Sequence, residues 1–170
     1  MILKRAFERP EVIAALRPLG GLIPGAVDPE QAAALRRRKL KRFEIAHRGR
    51  YSFCDLPRDP ALHRFAEQLF EVPLDASARP RLFRLARGDY SLVLDDARTR
   101  IERGVELTLD LSARATGEGN LVYGEREVPQ QPGLLAAVFR NAATSCYQRY
   151  LPHSVGSAVI YRLRVAYPAR

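Results

Sequence analysis

The 170-residue sequence has no tryptophan, one methionine, two cysteines and three histidines, and each scarcity excludes something. Cys54 and Cys146 stand far apart and form no CxxC pair, so zinc-finger and thioredoxin-like chemistry gains no support, and two buried free thiols are expected. Only His47, His63 and His153 are available to any site built on imidazole. No run approaches the ~18 consecutive apolar residues of a membrane helix, so no membrane insertion is expected. The opening MILKRAFERPEVI has neither a long apolar stretch nor a cleavage signal, which points to a cytoplasmic protein. Phosphate-loop spacing is missing as well: Gly20 and Gly21 sit in PLGGLIPG with no Lys-Ser/Thr pair after them. There is no GxSxG nucleophile elbow, and nothing places Ser154 correctly against its neighbour His153. No internal repeat, low-complexity tract or linker breaks the chain, so residues 1–170 are expected to form a single domain.

What is present is an ordinary hydrophobic fraction, 46%, and a strongly basic balance. Twenty-eight basic and 19 acidic side chains leave a net charge of +9. Such a surface attracts nucleic acid, anionic membranes or acidic partners without choosing among them. Arg36, Arg37, Arg38, Lys39, Lys41 and Arg42 crowd the end of an expected helix that starts at the Asp28 cap and Pro29 and runs to about Arg42. Basic charge at a helix C-terminus complements the helix dipole, so a solvated helix end accounts for the cluster. The other reading is a patch for nucleic acid or an acidic partner. No aromatic ladder accompanies these charges, which argues against a stacking platform for single strands.

Residues 1–75 read as helices and first strands, the strands lying near FEIAH and RYSF. Asp59-Pro60 opens an amphipathic helix over 61–70, with Leu62, Phe65, Ala66, Leu69 and Phe70 at helical spacing and His63 off the stripe, toward the surface. From residue 81 strands dominate: 81–85, 90–94, 105–111, 120–123, 134–139, 146–151 and 158–166. In 105–111, Val105, Leu107, Leu109 and Leu111 alternate with Glu106, Thr108 and Asp110, the signature of a half-buried strand. By that pattern Glu106 and Asp110 share the solvent face. Many short strands divided by Gly/Pro turns indicate a mainly β fold, a jelly roll with flanking N-terminal helices.

The order GDYSLVLDD, RIERGVELTLDLS, GEGNLVYGERE, PGLLAAVF and SCYQRYLPHSVGSAVIYRLRVAY resembles the double-stranded β-helix of the 2-oxoglutarate/Fe(II)-dependent dioxygenases, the prolyl-hydroxylase-like branch in particular. The resemblance covers residues 81–167. It implies a His-x-Asp motif near residues 94–96, a distal His on a later strand, and a basic residue on the last strand that holds 2-oxoglutarate. Leu94 stands where the first His belongs and Asp96 where the Asp belongs. One alignment puts Gln148 at the distal ligand position; the other uses His153 and makes Arg162 or Arg164 the cosubstrate anchor.

Iron in these enzymes takes two imidazoles and one carboxylate, leaving positions open for cosubstrate and oxygen. A leucine cannot coordinate iron, and a glutamine amide is a weak neutral ligand. The resemblance therefore implies a diverged relative that has lost the standard metal triad. It would be a small-molecule-binding or protein-interaction domain without a cofactor. Its pocket would draw on Tyr90, Gln148, Tyr150, Arg162 and Arg164, whose arginines favour an anionic small molecule. Two alternatives stay open: an active oxygenase using Fe(II) and 2-oxoglutarate, with Asp96 and His153 as ligands, and a basic protein associated with nucleic acid.

Overall fold

The structure is a computed structural model, and it describes residues 2–17, 21–93 and 102–170. Three helices precede or interrupt the early strands: α1 (Pro10–Leu16), α2 (Pro29–Arg36) and α3 (Pro60–Phe70). Asp28 caps α2 as its pattern requires, its Oδ1 accepting the Gln31 amide at 2.9 Å with Pro29 in the first turn. The helix stops at Arg36, well before the expected Arg42. Lys41–Ile45 instead forms strand β2, in register with β3 (Gly49–Asp55), so that Phe43 stacks on Tyr51 at 4.8 Å between ring centres. That apolar contact outweighs the helix propensity of the basic run before it.

Helix α3 is capped by Asp59, which accepts the amides of Ala61 and Leu62, and it closes on Glu71 in the left-handed region. Its stripe of Leu62, Phe65, Ala66 and Leu69 is buried as the spacing predicts. His63 is not a surface residue. Its ring packs on Tyr167, centroids 5.3 Å apart, and its Nε2 lies 3.1 Å from the Leu74 carbonyl.

The remaining strands are β1 (Leu22–Ile23), β4 (Arg81–Leu85), β5 (Tyr90–Ser91), β6 (Arg103–Asp110), β7 (Leu121–Tyr123), β8 (Arg126–Val128), β9 (Leu135–Asn141), β10 (Cys146–Gln148) and β11 (Ile160–Pro168). All pairings among them are antiparallel, in the order β1-β9-β6-β11-β4-β3-β5-β10-β7-β8, with β2 attached to β3. Strand β3 is the corner. Its residues 52–55 pair with β4, while Gly49 and Arg50 pair with β5. The sheet therefore folds over on itself, and a long leaf (β1-β9-β6-β11-β4-β3) faces a short one (β5-β10-β7-β8). Leu121, Tyr123 and Cys146 of the short leaf pack against Ala136 and Val138 of the long one. This is the near-closed jelly roll, or double-stranded β-helix, expected from the strand pattern.

The helices cover the outer face of the long leaf. Leu62, Phe65 and Leu69 share one apolar cluster with Val105, Leu107 and Leu109 of β6 and with Leu163, Val165 and Tyr167 of β11. The alternation on β6 is therefore correct, but its polar side does not meet solvent. Glu106 and Asp110 point into the roll and are 2% and 3% exposed. A strand with helices outside and a second leaf inside is buried on both faces, and charged residues survive there only with partners.

Candidate ligand-binding site

The polar residues of β6, β9 and β11 meet those of the short leaf inside the roll. Glu106 lies at the centre. Arg140 of β9 pairs with its Oε2, while Arg164 Nε donates to its Oε1 at 2.8 Å. Tyr123 of β7 reaches across and donates its hydroxyl to the same Oε1 at 2.7 Å. The Thr108 hydroxyl completes the chain, 2.8 Å from Tyr123 Oη. Arg140 also donates to the Thr144 carbonyl at 2.7 Å, and Arg164 Nη2 lies 3.1 Å from Cys146 Sγ. Burial alone would raise the Glu106 carboxyl, but Arg164 and Arg140 outweigh it and hold the group below its usual range. The Tyr123 hydroxyl is pushed well up by burial and by the adjacent Glu106 charge.

A second cluster lies further along β11. Gln148 of β10 is buried; its Oε1 accepts from Arg162 Nη1, and its Nε2 donates to the carbonyls of Gly119 (2.5 Å) and Asn120 (3.2 Å). Gly119 has φ +74°, where a side chain is strained, and a Cβ there would lie 2.5 Å from Ile160 Cδ1, so the segment over Gln148 favours glycine. Nη2 of Arg162 has no hydrogen-bond partner among the described residues, and burial lowers the pKa of this guanidinium. The void beside it, bounded by Tyr51, Leu121, Gln148, Arg162 and Arg164, measures about 10 Å³, the size of one water molecule.

On the side of β2, β3 and β4 lies a separate cavity of about 470 Å³, which shares Tyr51, Phe83, Ser91 and Arg164 with that void as lining. Its inner end is the Glu106–Arg140–Arg164 network. Its wall is aromatic: Phe43, Phe53 and Phe83, each half-buried, surround the buried Tyr51. Guanidinium groups lie over these rings. Arg48 sits 5.0 Å from the Phe43 centroid, Arg81 4.7 Å from Phe53 and Arg164 5.6 Å from Phe83. With Arg79 at the rim, five arginines line the cavity against two carboxylates, Asp55 and Glu106. The volume falls within the ~300–1,000 Å³ of ordinary small-molecule sites.

Of the residues marked out from the sequence, Gln148, Arg162 and Arg164 meet inside the roll. Tyr90 and Tyr150 lie elsewhere: the Tyr90 hydroxyl donates to the Ala46 carbonyl at 3.0 Å, and Tyr150 is 49% exposed. His153 is exposed in a 3-10 turn (His153–Val155), near Gly88 and Tyr150, and lines neither the cavity nor the void. Leu94, Asp95 and Asp96 lie outside the described residues. The basic run is dispersed. Arg36 donates to the Leu111 carbonyl at 2.7 Å, Arg42 forms a two-point pair with the buried Asp89, and Arg37, Arg38, Lys39 and Lys41 remain exposed. Asp89 also pairs with Arg50 and accepts the Ala86 amide, so the Gly-Asp turn before β5 is an anchor between distant segments.

Arg140 and the aromatic wall were not anticipated. Arg140 continues the inward row Ala136, Val138, Arg140 on β9, a signal available in the alternation. The aromatic wall comes from three strands whose adjacency no local pattern shows.

The described residues do not fit an iron centre. No group of three His, Cys, Asp or Glu side chains among them converges on a point. At Gln148, the distal ligand position in one of the two alignments, both ends of the amide are engaged, one of them by a guanidinium, and a dication beside that cation is electrostatically unfavourable.

The sequence matches no protein-family model and no curated protein sequence. The fold does have solved counterparts. A Pseudomonas putida prolyl-4-hydroxylase aligns with a TM-score of 0.65 at 15% identity, over 95% of this chain and 100% of that one. A Burkholderia pseudomallei oxidoreductase of the 2OG-Fe(II) oxygenase family aligns at 0.63 and 15%, over 94% and 91%. The viral collagen prolyl hydroxylase of Paramecium Bursaria Chlorella virus-1 aligns at 0.60 and 12%, over 86% and 93%. The chain therefore has the fold of the prolyl-hydroxylase-like oxygenases, as the order of its strand motifs implied. At such identities the likeness extends to the fold alone.

Proposed function

We propose that this protein is a diverged member of the oxygenase fold that binds an anionic small molecule in the roll without iron. The 470 Å³ cavity carries the proposal, because it joins an apolar aromatic wall to an excess of arginine. Arg140 and Arg164, compensated by Glu106, form the floor, and the exposed Arg79 at the rim supplies charge to an incoming anion. In place of a distal imidazole, Gln148 is tied to Arg162 and to the Gly119 turn, which supports loss of the metal triad.

Two titrations test this reading. A ligand that binds only the folded state at about one hundred times its Kd adds roughly 2.7 kcal/mol of stability. Thermal unfolding should therefore shift upward with carboxylate- or phosphate-bearing metabolites and stay unchanged with neutral or cationic ones. Anaerobic Fe(II) titration followed by calorimetry should show no stoichiometric binding at micromolar metal, with or without 2-oxoglutarate. One-to-one iron binding strengthened by 2-oxoglutarate would overturn the proposal in favour of an active oxygenase.

A further inference from the structure

Resting on the anion-binding reading, we infer that the ligand is a planar aromatic anion, a ring system bearing carboxylate or phosphate, and not an aliphatic acid. The composition of the cavity wall separates these two. Phe43, Phe53 and Phe83 come from three different strands, β2, β3 and β4, yet converge on one cavity and are all left half-exposed there. Tyr51 ties them together: it stacks on Phe43 (interplanar angle 22°) and meets Phe53 and Phe83 edge-on at 6.1 and 5.3 Å. A site for a short aliphatic diacid needs charge and donors. It gains little from partly exposed phenyl rings, whose surface is only lightly compensated in water.

The arginines reinforce the argument by their geometry. Arg48 and Arg81 lie over Phe43 and Phe53, their guanidinium carbons 5.0 and 4.7 Å from the ring centroids, so the wall interleaves aromatic rings with guanidinium groups. Flat, delocalised ligand rings stack on either kind of plane. Their anionic substituent then meets the same guanidinium edges or Arg79 at the rim. The register of the strands maintains this spacing: Phe43 opposes Tyr51, Phe53 opposes Phe83, and Asp55 opposes Arg81, to which it is paired at 2.6 Å. With the inner end closed by the Glu106 network, a ligand enters from the β2-β3-β4 edge and stops short of Arg162.

The test compares four probes by calorimetry on the whole chain: a nucleoside monophosphate, an indole carboxylate, 2-oxoglutarate and inorganic phosphate. We expect at least one of the two aromatic anions to bind about tenfold or more tightly than either non-aromatic one, the range stacking on a protein ring supplies. Which aromatic probe wins distinguishes a phosphate-bearing base from a carboxylate-bearing ring. F43L keeps apolar bulk but removes one stacking plane, and it should weaken the aromatic probe about tenfold while leaving the non-aromatic ones unchanged. Arg79→Gln, an exposed rim position with little bearing on folding, should weaken every anion and flatten the salt dependence. If 2-oxoglutarate or phosphate binds as tightly as both aromatic probes, or if F43L weakens all probes equally, this inference is overturned while anion binding stands. If no anion binds, the reading beneath it falls too.

Discussion

Glu106 is the residue on which the interior depends. It is 2% exposed and receives two guanidiniums and one phenol. Glu106→Gln would leave Arg140 and Arg164 without their counter-charge, and Arg140 is itself 1% exposed. Breaking a buried pair from one side costs about 3–5 kcal/mol, so denaturant unfolding of this variant should show a loss of that size. The pH dependence has a definite sign. Because the folded protein holds the Glu106 carboxyl below its ordinary value of 4.5, its contribution is fully present above that pH. It is lost progressively as pH falls through the lowered folded value. Unfolding midpoints measured from pH 6 downward should fall at acid pH in the native chain, and this component of the fall should be absent in Glu106→Gln.

At this scale the sequence was half legible. Arg162 and Arg164 were readable as a pair on one face of the last strand. The depth of Glu106 was not, because an alternating strand looks the same whether its polar face meets water or a second leaf of sheet. Tyr90 and Tyr150 show the converse: nearness in sequence does not fix where a tyrosine points, and here one hydroxyl donates to a backbone carbonyl while the other side chain is exposed.

At the scale of elements, α3 is the best-specified segment. Its cap, its proline and its apolar stripe all agree, and the helix observed spans Pro60–Phe70. Asp59 satisfies two free amides at 2.9 and 3.3 Å. Replacing it with alanine should cost about 1 kcal/mol, read as a lowered melting temperature with no change in ligand affinity. The bounds expected for β4 match those observed, although Arg-Leu-Phe-Arg-Leu does not alternate; the long β6 is nearly matched, and there period-two patterning carries the reading. Failure came at α2, where six basic residues in seven read as one helix end. They are in fact divided among a helix terminus, a turn and strand β2. Helix propensity is a local quantity, whereas the pairing of Phe43 with Tyr51 is decided by the fold. The aromatic ladder escaped for a different reason: Phe43, Tyr51, Phe53 and Phe83 all fall in expected strands, but the ladder runs across strands and not along the chain.

For the molecule as a whole, a charge of +9 makes nonspecific attraction to polyanions unavoidable. The dispersal of the basic run bears on whether that attraction is organised. Arg36 and Arg42 are bonded within the chain, Arg42 while still exposed, and Arg37, Arg38, Lys39 and Lys41 lie at the surface. Replacing Arg37, Arg38 and Lys39 together by glutamine should therefore reduce the salt slope of nucleic-acid binding by no more than about three, without a sequence-specific loss. Gel-shift titrations at several salt concentrations check this; a collapse of sequence-selective binding would show a dedicated interface.

The position of β11 has a consequence for how the chain is made. This strand, Ile160–Pro168, lies between β6 and β4 and pairs with both along most of its length. A ribosome delivers residues 81–110 long before it delivers their shared neighbour. Until then β4 and β6 present unsatisfied edges, and the leucines of β6 lack half of their enclosure. Native pairing must wait for the most distant segment, which makes the loop-closure entropy large and folding slow. A nascent chain paused just short of residue 160 is therefore the species most exposed to aggregation and to chaperone capture.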